Sequence, residues 1–221
     1  MMAIRQKRYL QKDFNNFLRC PKAFRLGVDR ENPTDLKAGD HQENFAGRHQ
    51  SAGVPLDHSS REVHRLACSF FPDAVHIDPS PGISQKITET AKLVKEKRTI
   101  IQPWFQHGHM NIFIDVLEYR DGWVAWEIQK TKVGHIYRAE DFALHLIVLE
   151  ENSIIPEDYR LLYINKKYVR RGYLEPEKLF SRRSVIEEAR EKTSAVSAVL
   201  DKMPASFLIH DDKNMDYSNV D

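Results

Sequence analysis

Several things are scarce in this chain, and each scarcity removes a class of protein. It has two cysteines, Cys20 and Cys68, too few for a four-thiolate zinc or iron–sulfur centre. No iron–sulfur cluster is therefore expected, and a reduced, cytoplasmic setting is. No apolar run approaches the roughly 20 residues of a membrane helix, so no membrane partner is expected. The segment from Met1 to Arg8 is basic without an apolar stretch behind it, so a secretory signal is not expected either. Excess charge of one sign is missing: 33 Lys and Arg against 32 Asp and Glu give a net charge of +1. No internal repeat is evident.

What remains is 221 residues, enough for one domain, with 41% hydrophobic residues for a core and 29% charged residues for the surface. The near-neutral total hides positive clusters at Lys92, Lys95, Lys97 and Arg98, at Lys166, Lys167, Arg170 and Arg171, and at Arg182 and Arg183. Such groups can neutralise phosphates; they serve equally well as a solvated helix or loop face.

Residues 11–26 place Phe14, Phe17, Leu18 and Phe24 at partly helical spacing, interrupted at Pro21. Residues 29–58 read as a long polar loop. Ser59 or Ser60 then opens a helix with the stripe Val63, Leu66, Ala67, Phe70 and Phe71, stopped by Pro72. A second helix is expected over 84–97, followed by strands over 99–105, 109–119 and 122–130. A helix over 138–151, a strand over 159–165 and a charged helix over 184–202 complete the order. The succession predicts an α/β fold with a mixed central sheet flanked by helices. Residues 1–58 would supply N-terminal helices and a loop, 59–203 the core, and 204–221 a weakly ordered tail.

Two of the strands carry one carboxylate each among apolar neighbours: Asp115 in Phe-Ile-Asp-Val-Leu and Glu127 in Val-Ala-Trp-Glu-Ile. Burying an unpartnered carboxylate is costly, and two on adjacent strands repel. A hard divalent cation such as magnesium answers both problems, since it takes oxygen ligands. The turn decides the geometry. A two-residue loop, Asp121-Gly122, sets Asp115 against Ile128 and turns the two carboxylates to opposite faces. A three-residue loop, Arg120-Asp121-Gly122 with a left-handed Gly122, pairs Tyr119 with Trp123 and Asp115 with Glu127. A shared metal requires the second. Without it, each carboxylate is simply solvated or salt-bridged.

A strand carrying Asp, a hairpin, and then Glu-x-(Lys) resembles the signature of the PD-(D/E)xK nucleases. The likeness runs over roughly residues 9–200. Cys20-Pro21-Lys22 after an aromatic helix is similar to the start of RecB-like nucleases, including the CRISPR-associated exonuclease-like branch. Arg61-Glu62-Val63-His64 is similar to their G-R-x-V-H helix, with Ser60 where glycine is usual. The stretches 141–145 and 163–172 also resemble a bacterial branch of the group. The resemblance implies a restriction-endonuclease-like core and a deoxyribonuclease dependent on Mg2+ or Mn2+. The ligands would be Asp115, Glu127, the Ile128 carbonyl and His64. Two departures stand out. The family lysine is Gln129, which can orient water or phosphate but carries no charge. The glutamine and tyrosine of the helix motif fall on His145 and Leu149. Lys130 points to the other strand face, and Lys132 reaches the site only through a bulge.

The implied partner is DNA, single-stranded or at duplex ends, held by its backbone through His145, Lys166, Lys167, Arg170 and Arg171 with little sequence specificity. A protein partner or a homo-oligomer is compatible with the same residues. Gln129 and His145 favour a second reading, a weakened or inactive nuclease-fold protein that binds nucleic acid or a partner. A metal hydrolase of small phosphoesters is a third. Taken alone, His64 in an apolar stripe reads as a core histidine, His107-Gly108-His109 as a turn, and Cys68 as core. Trp104, Trp123 and Trp126 read as packing residues, although an exposed tryptophan could stack on a base.

Overall fold

The computed structural model describes residues 9–21, 24, 58–129, 138–165 and 167–203, and in it the stretch 99–119 forms four strands where two are expected. These are β3 (Ile100–Ile101), β4 (Trp104–His107), β5 (Met110–Phe113) and β6 (Val116–Tyr119). The cause is a bend in both arms. Gln102 adopts a left-handed conformation (φ 57°), and the next residue, Pro103, has no N–H for the ladder. Opposite them, Ile114 and Asp115 leave the strand. Bonds from Gln102 N to Asp115 O (2.9 Å) and from Ile114 N to Pro103 O (3.2 Å) carry the pairing across the bend. Each arm thereby passes from one sheet into another, and Asp115 sits at the corner.

With β1 (Tyr9–Leu10), β5 and β4 make a three-stranded sheet in the order β1-β5-β4. The larger sheet adds β2 (Val75–His76), β7 (Trp123–Gln129), β8 (Pro156–Ile164) and β9 (Phe180–Ser184) in the order β2-β3-β6-β7-β8-β9. β7 and β8 run parallel, so a helix connects them. β6 and β9 flank that pair in antiparallel fashion.

Helices cover both faces. On one lie α1 (Gln11–Arg19), α4 (Ala139–Glu151) and α6 (Ile186–Leu200), packing Phe14, Leu144, Leu149 and Val196 against Leu117, Ala125 and Tyr159. α4 buries residues all round its axis, as an internal helix must. On the other face, α2 (His58–Cys68) sets Ala67 and Cys68 against Val116, Trp126 and Ile128. α3 (Ile83–Lys95) seals the end of the sheet through Leu93 on Ile100 and Trp104. A short α5 (Pro176–Leu179) precedes β9. The protein is thus a mixed α/β fold with mixed-orientation sheets flanked by helices, as its sequence predicts. Among the described residues no helix is long and apolar enough to cross a membrane.

The chain departs from expectation at the short elements β1, β2, β9 and α5. β9 reads FSRRS and lies at a sheet edge with most of its side chains exposed, so it lacks the alternating apolar pattern. The N-terminal segment is built into the main core, where Tyr9 and Phe14 are buried. The expected loop over 29–58 lies, except for His58, outside the described residues. So do the tail 204–221, Lys130, Lys132 and Lys166.

Candidate functional site

The β6–β7 turn has three residues. Tyr119 pairs with Trp123 and Val116 with Trp126, so the register continued by one step sets Asp115 across from Glu127. The left-handed residue is Asp121 (φ 57°), not Gly122 as its position in the loop suggests. Aspartate tolerates that region because its short polar side chain bonds locally, and Arg120 N closes the loop on Gly122 O at 2.9 Å. Alternation then places Ala125, Glu127 and Gln129 on one face of β7, with Trp126 and Ile128 on the other. Burial agrees: Trp126 and Ile128 are buried against α2, whereas Glu127 and Gln129 are half-buried.

Asp115 is 1% exposed. Its Oδ2 accepts the Ile128 N–H at 2.8 Å, and its Oδ1 lies 3.5 Å from His64 Nε2. His64 comes from α2, on the far face of the sheet; the corner at Asp115 is what lets the two meet. His64 Nδ1 stands 3.6 Å from the Cys68 thiol, one helical turn on. Burial alone would pull the His64 pKa down, but the bond to Asp115, helped by Cys68, raises it to about 9. At neutral pH the ring is an imidazolium beside a buried carboxylate.

The third component sits on the neighbouring strand. Tyr159 of β8 pairs with Ala125 and is fully buried. Its hydroxyl lies 2.5 Å from His145 Nδ1, while His145 Nε2 lies 3.0 Å from Gln11 Oε1. An amide oxygen only accepts, so Nε2 carries the proton and Nδ1 accepts from the tyrosine. Burial first, then the negative charges of Glu127, Asp115 and Asp141, push the tyrosine pKa well above its ordinary value. Three carboxylates, from the bend, β7 and α4, therefore bear on one buried hydroxyl.

The arrangement is rich in oxygen donors with one imidazole, a set suited to magnesium or manganese. Among the described residues no group of three or more His, Cys, Asp and Glu side chains is drawn together closely enough to hold an ion. His145 is fully buried with both ring nitrogens turned inward, so it offers no surface to nucleic acid in this structure. Lys167, Arg170 and Arg171 are exposed on the loop that follows β8. Gly108 and His109 form the β4–β5 turn, with Gly108 left-handed at φ 53°. Trp104 and Trp126 are buried, Trp104 stacked on Phe113.

Gln11 and Glu118 carry no mark in the sequence; Tyr159 carries only an indirect one. His145 lies in a helix with no polar face, so a buried partner must be found for each ring nitrogen. Glu118 is a second buried carboxylate, 5% exposed. It accepts from Trp126 Nε1 at 3.0 Å and pairs with Arg120 at 2.6 Å.

Compared with protein-family models, with curated proteins and with solved structures, the chain matches none.

Proposed function

We propose that the chain is a metal-dependent nuclease with a restriction-endonuclease-like core, hydrolysing phosphodiester bonds in DNA with little sequence specificity. One observation carries the reading: Asp115, at the bend before β6, and Glu127 of the neighbouring β7 both bear on the buried Tyr159 hydroxyl, with His64 Nε2 3.5 Å from Asp115. A magnesium or manganese ion at this place would activate water and neutralise charge at phosphorus. Asp115, Glu127 and the Ile128 carbonyl would hold it, with His64 as a further ligand once its proton is lost. The Asp115 carboxylate is already oriented by the Ile128 N–H. Gln129, on the face of Glu127, orients water or phosphate by hydrogen bonding. Burial and the neighbouring carboxylates keep the Tyr159 hydroxyl neutral, and it bonds to His145 Nδ1.

Gln129 in the place of the family lysine supports a second reading, a nuclease-fold subunit that binds nucleic acid without cutting it. Incubation of single- and double-stranded DNA with magnesium or manganese separates the two. The nuclease reading predicts cleavage that Asp115→Asn and Glu127→Gln each reduce by at least about a hundredfold in folded protein. A folded wild-type chain that binds DNA but cuts nothing with either ion establishes the binding subunit instead.

A further inference from the structure

The loop between β8 and β9 carries an aromatic ring that no core residue needs. Tyr173 is 93% exposed and Val169 70%, beside Lys167, Arg170 and Arg171. Among the described residues no carboxylate lies within ion-pair distance of those three cations, whereas Lys178, Arg182 and Arg183 nearby are paired with Glu175, Glu177 and Glu188. Acidic partners are thus at hand and are spent on other cations.

The loop is held in shape from within. Asn165 anchors it through its N–H to Leu179 O (2.7 Å) and its Nδ2 to Lys178 O (3.1 Å). The Glu175 N–H donates to the Tyr168 hydroxyl at 3.1 Å, closing the loop across its waist. Gly172 takes φ 91°, a conformation that side chains resist, and its carbonyl accepts from Arg170 Nε at 2.9 Å. The next residue, Tyr173, is thereby presented outward from a fixed support, at little ordering cost on binding.

Its position is set by topology. β7 and β8 are parallel, with Gln129 beside Tyr163, so the loop leaves the sheet at the edge where β7 ends. β6 runs antiparallel to β7, so Asp115 at its start lies at that edge too. Ligands of parallel strands gather at such carboxyl-terminal edges.

We propose that this loop grips single-stranded nucleic acid, Tyr173 stacking on an unpaired base and Lys167, Arg170 and Arg171 holding the flanking phosphates. The inference rests on the nuclease reading of the neighbouring carboxylates and names its substrate class. Duplex bases are already stacked and give the ring nothing to cover; a single strand does.

The test is binding of a fluorescent oligothymidylate, and of a blunt duplex of equal length, by anisotropy in EDTA, where cleavage plays no part. Tyr173→Ala is expected to weaken the single strand about tenfold and the duplex hardly at all, while Tyr173→Phe keeps wild-type affinity. Removing both Arg170 and Arg171 should flatten the slope of log affinity against log salt by about 1.4, or about 0.7 per phosphate contact. Unchanged single-strand affinity in Tyr173→Ala overturns the proposal, as does equal loss on both substrates. Competition by polyglutamate as strong as by the oligonucleotide also overturns it, making the loop a general anion patch. The expected pattern in a chain that cuts nothing with manganese upholds this inference and removes the nuclease. Cleavage of single strands with an unchanged KM in Tyr173→Ala does the reverse.

Discussion

The two ends of the β6–β7 hairpin bury carboxylates in opposite ways. At the turn, Glu118 is tied off by groups of the same hairpin, the Trp126 indole N–H and the Arg120 guanidinium. At the bend, Asp115 and Glu127 belong with groups from distant parts of the chain: His64 of α2, Tyr159 of β8 and, through Tyr159, His145 of α4. A local pair of the first kind is structural chemistry; it solves the cost of burial and leaves nothing to bind. Carboxylates from separate elements that bear on one buried hydroxyl, with a histidine beside one of them, are what the proposed cation would hold.

That contrast can be sharpened by substitution. The largest effect is expected for Gln129→Lys at the bend end. An ammonium beside Glu127 should stabilise charge at phosphorus by about 3 kcal/mol, on the order of a hundredfold in the manganese-supported cleavage rate. A folded variant that binds manganese and stays inactive marks the bend as a relict site. At the turn end, Glu118→Ala should cost about 1–3 kcal/mol in urea unfolding, because it strands the buried Trp126 N–H, and should leave metal binding unchanged. Tyr159→Phe should cost about 1 kcal/mol, since His145 Nδ1 loses its donor in a closed core; a neutral result would show that the ring turns to another partner.

The smallest effect is one of pH. The folded chain raises His64 from 6.5 to about 9, so it holds that proton more tightly than the unfolded chain does. The resulting stability is complete below pH 6.5 and is lost as pH rises through about 9. Metal-free unfolding midpoints should fall across that window in the wild type and stay flatter in His64→Gln. A ligand role for His64 adds the opposite trend for the metal, whose affinity should rise over the same range.

Much of this is legible in the amino-acid order, for identifiable reasons. Alternation around Asp115 and Glu127 narrows the hairpin to two registers, and the length of the turn, seen in the fold, decides between them, because a one-residue slip exchanges the faces. The stripe of α2 likewise places His64 on its helix. The bend is not legible: left-handed Gln102 is a conformation its residue type does not favour, and it is held by the sheets on either side. Without the bend, Asp115 looks like the middle of one long strand, and its meeting with His64 across the sheet has no visible cause. Tyr159 and Gln11 are hidden for another reason, since their contacts with His145 span 14 and 134 residues. The exposed grip at Tyr173 is equally silent, for exposure depends on loop shape and not on composition.

Calorimetric titration of manganese into the metal-free wild type, Glu127→Gln and Glu118→Gln tests the central claim most directly. The account predicts that the wild type and Glu118→Gln bind the ion alike, and that Glu127→Gln, folded and with its strand register intact, binds none. Equal binding by wild type and Glu127→Gln, or no binding by the wild type, would contradict it.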